Sequence, residues 1–150
     1  MRILPQYKGA GILFACDSEV LLGLRAISPF KNRWSIFAGR MEAEDSGVFC
    51  KTAFAEASEE ACNCIPVEDY LREYLPTPFN RNLLVRQEIN LPFFKFVSFV
   101  VQLTAKPSLK YWPRLNSEFL RCDWFKMDSL PNNLHPFVKT LVRRLRAGAV

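Results

Sequence analysis

The sequence predicts an α/β (α+β) fold in which strands flank a central helix and a second helix closes the chain. Three observations carry this reading. Short apolar and β-branched segments lie on both sides of an alanine-rich segment with helical period. The last stretch is amphipathic at helical spacing. The 150 residues match one domain, taken as 1–150, and a 49% hydrophobic content is enough for a real core. Elements in this order pack as an α+β arrangement or as a three-layer α/β/α sandwich.

Gly9–Ala15 and Val20–Arg25 read as a hairpin, with Cys16-Asp17-Ser18-Glu19 as its turn. Ser28 to Arg33 is a loop, and Arg33 to Phe37 a short strand. The spacing predicts a helix from about Gly47 to Cys62. Its apolar positions Phe49, Ala53, Ala57 and Ala61 recur at i+4 steps with Phe54 beside them, and alanine favours helix and close packing. Pro66 ends that region. Val67 to Tyr74 reads as a helical turn. Strands follow at Asn82–Asn90 and Phe93–Leu103, then a polar loop to Ser117 and a strand at Leu120–Met127. Pro136 to Ala147 is the closing helix. Val138, Leu141, Val142 and Leu145 form its apolar side, and Lys139, Arg143 and Arg146 the other. There is no internal repeat, low-complexity tract or linker.

Composition narrows the class. No apolar run reaches the roughly 18–20 residues a membrane helix needs. The nearest, Phe93 to Leu103, is broken by Lys95, Ser98 and Gln102. The start, Met-Arg-Ile-Leu-Pro, lacks the apolar region of a signal peptide. Five cysteines, an odd number, argue against a disulfide framework, and Cys62-x-Cys64 has no second pair at zinc spacing. Cys16, Cys50, Cys62, Cys64 and Cys122 are read as reduced packing residues of a cytoplasmic protein with no membrane partner. The net charge is +5, yet nine of the 15 acidic residues lie between Glu42 and Glu73. A local nest of carboxylates in a basic surround suits a polyanionic ligand; solubility is the plain alternative.

The chemistry-bearing stretch is Gly39-Arg40-Met41-Glu42, read as a glycine turn carrying a carboxylate, followed by Ala55-Glu56-Ala57-Ser58-Glu59-Glu60. On a helix, Glu56, Glu59 and Glu60 project from one face at i, i+3 and i+4. Like charges so placed repel by roughly 0.2–0.5 kcal/mol per pair. On a solvated face this is tolerated, and such runs are ordinarily no more than that. Around a hard divalent cation the same oxygens become ligands.

Gly39 to Cys62 resembles the Nudix box, G-x5-E-x7-R-E-U-x-E-E-x-G-U with U apolar, of Mg²⁺-dependent pyrophosphohydrolases. Gly39 matches the opening glycine and Glu42 a glutamate often found three residues later. Asp45 stands at the first box glutamate, while Glu56, Glu59 and Glu60 stand at the later ones. Trp34 to Gly39 is similar to the W-x-x-P-G-G strand and turn. Two extra residues separate Asp45 from Glu56; Ala55 replaces the box arginine, Cys62 the late glycine, and Phe37 and Ala38 the usual Pro and Gly. In the family that arginine ion-pairs with the glutamates. Lys51, one turn earlier, is a candidate substitute charge. The likeness extends outside the box: Gly9 to Phe14 and Val20 to Arg25 resemble the first core strands. Asp123-Trp124-Phe125 with Asp128-Ser129-Leu130-Pro131 resembles the late strand and turn, and Leu134-His135-Pro136 the start of the closing helix.

The resemblance implies a Nudix-like α/β/α sandwich with a mixed β-sheet. It implies Mg²⁺ (or Mn²⁺) held by Glu56, Glu59, Glu60 and the Gly39 carbonyl. Glu59 is a ligand or the general base, and Glu118, near where some members place a further metal-linked glutamate, is a second candidate base. Arg25, Glu42 and Arg86 are candidate substrate contacts, with Lys95 a further cleft-lining candidate. The plain readings are an edge-strand end for Arg25 and outward-facing charges for Arg86 and Lys95. His135 caps or packs at its helix start. Tyr111 and Trp112 stack on a base or cover core. The expected partner is a small nucleotide, and the family admits a homodimer. Three functions compete. The first is a hydrolase cleaving a nucleoside diphosphate linked to another moiety. The second is a Nudix-like module that binds nucleotide or regulates without turnover, motivated by Ala55 and the insertion, since a misplacement of about 1 Å costs about 100-fold in rate. The weakest is a basic RNA- or DNA-binding domain built on the Arg143-Arg144-Leu145-Arg146 end. Val67 to Arg81 and Thr104 to Ser117 are the segments expected to select the substrate.

Overall fold

Strand β1 (Tyr7–Cys16) organises the molecule, because every residue from Gly9 onward in it is buried. Such a near-continuous apolar strand needs cover on both faces. The computed structural model describes residues 6–45, 47–61, 83–103, 105–106, 109 and 118–147. The remaining strands are β2 (Glu19–Arg25), β3 (Trp34–Ser35), β4 (Phe37–Arg40), β5 (Leu83–Leu91), β6 (Phe94–Gln102) and β7 (Phe119–Lys126). All belong to one seven-stranded sheet. Among the described residues the helices are α1 (Phe49–Ala61) and α2 (Pro136–Arg146), with a short 3-10 turn at Ala43–Asp45. The segment expected as a helical turn, Val67 to Tyr74, lies outside the described residues.

The sheet is mixed. β1 runs parallel to β6 along its length, from Tyr7 opposite Phe94 to Ala15 opposite Gln102. The other edge of β1 is shared. Its end pairs antiparallel with β2 at Phe14–Cys16, and its beginning pairs antiparallel with β4 at Gly9–Ile12. β2 continues away to pair with β7 and β3. One strand edge is thus divided between two partners, and β4 is laid alongside α1.

Alternation along β1 sorts the core into two layers. Ala10, Ile12, Phe14 and Cys16 join Ala53, Phe54 and Ala57 of α1 on one face. Leu13 and Ala15 join Val138, Leu141 and Val142 of α2 on the other. This is a three-layer α/β/α sandwich. α2 buries the stripe expected from its spacing, and Arg143, Arg144 and Arg146 stand in its last turn, where cations favour the helix dipole. His135 caps it, its Nδ1 accepting from Phe137 N at 3.1 Å. Among the described residues, no helix is long and apolar enough to cross a membrane.

Three expectations are corrected. Gly39 is in strand β4, opposite Ala10, rather than in a turn. The edge of β1 that β2 leaves free pairs with β4, which carries extended backbone on to Arg40, three residues past the expected end at Phe37. The glutamates of α1 do not share one solvated face: Glu60 is only 4% exposed. The full burial of the small residues Ala53 and Ala57 brings the helix close to the sheet and carries the neighbouring carboxyl inside. Finally, the cysteines are not all reduced. Cys16 and Cys50 are free, but Cys122, 3% exposed in the α1-side core, is disulfide-bonded. An odd total excludes a complete framework, not a single bond, and this bond removes one support for a cytoplasmic setting.

Candidate active site

The site begins where α1 meets β4. A Cβ placed on Gly39 would overlap the Glu56 carboxylate, at Cδ and both oxygens. Gly39 is therefore glycine for lack of room: the carboxylate occupies the space a side chain would take. One turn on, Glu60 is buried behind it, and a side-chain hydrogen bond joins the two carboxyls.

Burial, then the Glu118 and Glu56 charges, push the Glu60 carboxyl up to about 10, against an opposing pull from Arg25. Burial and the Glu59 charge lift Glu56 to about 7, while the hydrogen bond from Glu60 draws it back. In the metal-free protein at neutral pH, Glu60 carries the proton and donates it to Glu56. The pair titrates as one unit. Glu118, just before β7, reaches both electrostatically, although it is far away in sequence. Glu42 and Glu59 are exposed, and both act on Glu56 through charge.

Arg25 ends β2. Its Nε donates to Pro29 O at 2.8 Å, and its guanidinium lies 5.8 Å from the Phe119 ring centroid. It thus supplies positive charge to the Glu60 side of the cluster, whereas Lys51 is exposed on α1 and Ala55 stands exposed at the box-arginine position. Arg86 pairs with Phe99 in the β5–β6 register; its side chain lies outside the described part. Lys95 does not reach the cleft. Its Nζ lies 5.2 Å from the Phe49 ring centroid. Tyr111, Trp112 and Val67 to Arg81 lie outside the described residues, as does most of Thr104 to Ser117.

Among the described residues, no three His, Cys, Asp or Glu side chains already stand as a formed metal site. The donors nevertheless fit a hard divalent cation. They are carboxylate oxygens on one rigid helix, with Glu56 seated in the space left open by Gly39 and Glu60 buried behind it.

A cavity of about 670 Å³ opens beside this cluster, with Gly39, Glu118 and Arg25 in its wall. Much of the remaining lining is aromatic, and the rings form an unbroken series. Tyr7 stacks on Phe94 at 5.1 Å and Phe94 on Phe96 at 6.3 Å; Phe96 meets Phe137 edge-on at 5.4 Å. Phe137 meets His135 at 6.2 Å, and His135 meets Phe30 at 4.1 Å. These residues were not singled out from sequence as substrate contacts. The sole available signal was the abundance of phenylalanine, which marks core as readily as pocket.

No protein-family model matches the chain, and no curated protein matches it by sequence. Solved structures do. A NUDIX hydrolase from Nitrosomonas europaea is 20% identical, with a TM-score of 0.63 over 97% of this chain and 73% of that one. The NUDIX domain of NrtR from Shewanella oneidensis, complexed with ADP ribose, is 12% identical, with a TM-score of 0.65 over 99% and 91%. A bifunctional NMN adenylyltransferase/ADP ribose pyrophosphatase from Francisella tularensis, complexed with AMP and a Mn ion, is 13% identical, with a TM-score of 0.67; it aligns over 99% of this chain and 43% of that one. At these identities the likeness is one of fold: this chain has a Nudix-like α/β/α sandwich fold.

Proposed function

We propose that this chain, taken as one domain over residues 1–150, is a Mg²⁺- or Mn²⁺-dependent pyrophosphohydrolase. Its substrate would be a nucleoside diphosphate linked to another moiety. The observation that carries the proposal is the Glu56–Glu60 pair seated against Gly39, with Glu118 in electrostatic reach and a cavity alongside. Glu56 and Glu60 would hold the cation, with Glu59 and the Gly39 carbonyl as further donors. When bound, that cation would neutralise charge on the phosphate oxygens and acidify water at the site. Arg25, in the cavity wall, would bind a phosphate of the substrate. Of the two candidate bases, the cavity position of Glu118 favours it over the exposed Glu59. Nudix structures holding ADP ribose, or AMP with a Mn ion, support the nucleotide class.

The second reading, binding without turnover, is favoured by the exposed Ala55, which offers the glutamates no charge. Product release from nucleoside triphosphates, sugar nucleotides, dinucleoside polyphosphates, ADP-ribose and NADH, with Mg²⁺ and with Mn²⁺, separates the two. Turnover that disappears in Glu60→Gln supports the hydrolase. Metal and nucleotide binding without turnover of any compound supports the module.

A further inference from the structure

A second cavity, of about 490 Å³, opens against the C-terminal part of α2 and shares no lining residue with the one beside the α1 carboxylates. Its lining has two parts. One is cationic: Lys139, Arg143 and Arg146, all exposed. The other is aliphatic: Met127 just after β7, Leu130 in the loop beyond it, both half-buried, and the buried Val142. Arg146 Nη1 donates to Met127 O at 3.4 Å, which ties the end of α2 to the end of β7. Among the described residues that line this groove there is no carboxylate.

The cations are placed at a cost that the fold itself does not offset. Positions 139, 143 and 146 are spaced i, i+4 and i+7, so they stand in one row along the helix, spanning about 10 Å, and repel one another. The helix dipole favours Arg143 and Arg146 in the last turn. It disfavours Lys139, which stands in the first turn, at the positive end of a helix that holds no acidic residue. Among the described residues, the side chains of Lys139 and Arg143 have no ion-pair or hydrogen-bond partner. Asp128, the acid next to Met127, accepts instead from Ser129 Oγ at 3.2 Å.

We infer that this groove docks an acidic amphipathic helix of another protein. That helix lies along α2, with carboxylates at its own i, i+4 and i+7 positions facing Lys139, Arg143 and Arg146. An aliphatic side chain beside them covers Met127 and Leu130. A helix fits the row because its side chains repeat with the same rise as those of α2, and an apolar stripe laid in a groove is a recurring mode of recognition. Met127, unbranched, adapts to the side chain it meets. A nucleic-acid strand answers the cations but gains nothing from an aliphatic floor, and this lining offers its bases no aromatic face. The inference does not rest on the hydrolase reading, because the two cavities are separate.

The test is fluorescence anisotropy of the full chain with a labelled synthetic helical peptide that carries glutamates at i, i+4 and i+7 and leucines on the adjoining stripe. One control peptide has glutamine for the glutamates, and a second has serine for the leucines. The parent peptide should bind with a Kd below about 100 µM, and each control at least about fivefold more weakly. Lys139→Gln combined with Arg143→Gln should weaken the parent by about two- to 30-fold, the span of two exposed ion pairs. Lys8→Gln combined with Lys51→Gln removes the same charge from exposed positions elsewhere and should leave binding unchanged. Circular dichroism checks that α2 stays helical in each variant. The inference is overturned if the parent does not bind, if either control peptide binds as tightly, or if the Lys8 and Lys51 changes weaken it as much. It is also overturned if an oligothymidylate of equal charge binds more tightly than the peptide and loses affinity in the groove variant, which would make this a nucleic-acid site.

Discussion

Replacing Glu60 with glutamine should stabilise the metal-free protein at neutral pH and slightly destabilise it in acid. In the unfolded chain Glu60 has its ordinary pKa near 4.5; in the fold it is pushed up to about 10 by burial, Glu118 and Glu56. At pH 7 folding must therefore place a proton on a group that would otherwise be ionised. At about 1.36 kcal/mol per pH unit, that costs on the order of 3 kcal/mol. The penalty is absent below the unfolded pKa, grows as pH rises above about 4.5, and levels off near the folded value. A glutamine side chain is neutral throughout. Its amide can donate to Glu56 as the protonated acid does, in nearly the same volume. Its second N–H needs its own partner, which offsets about 1–2 kcal/mol. The expected net change is a gain of about 1–2 kcal/mol at pH 7 and a loss of about 1–2 kcal/mol at pH 4.5, where only the amide cost remains. Urea unfolding of both proteins in EDTA at the two pH values measures this directly. Adding Mg²⁺ should reverse the order, because wild type gains about 2.7 kcal/mol when the metal is at 100 times its dissociation constant and the variant gains less. A Glu60→Gln protein no more stable than wild type at pH 7 in EDTA, or equally stabilised at pH 4.5, would refute the buried, proton-sharing pair.

Gly39→Ala should lower stability by about 1–3 kcal/mol and abolish turnover, since the new methyl group displaces Glu56; thermal unfolding and the product-release assay read the two effects separately. Phe30→Gly should raise the unfolding midpoint, through about 1 kcal/mol of relieved left-handed strain, while weakening nucleotide binding; a fall in stability would show that the loop is held by the ring itself. His135→Ala should cost about 1 kcal/mol from loss of the α2 cap, whereas His135→Asn should cost little; equal losses in urea unfolding would mean that the capping bond adds nothing.

Much of this molecule could be read from local pattern. The i+4 alanines of α1, the amphipathic stripe of α2 and most strand positions follow from side-chain period alone, as does the grouping of Glu56, Glu59 and Glu60 on one helix. What could not be read depends on contacts between residues remote in sequence. No local rule places Gly39 in a strand, because its pairing depends on the edge of β1 that β2 leaves free. No spacing rule separates Glu60, drawn inside by the close approach of α1, from the exposed Glu59 beside it. The partnership of Glu118 with the α1 carboxylates and the ring series from Tyr7 to Phe30 likewise join segments that only the folded sheet brings together. The sequence by itself determined the elements and the kinds of ligand atom they carry, since these follow from periodicity and residue chemistry. The tertiary structure decided which carboxyls are buried and charge-coupled and what lines the cavity, because burial and long-range electrostatics are properties of packing that no single segment possesses.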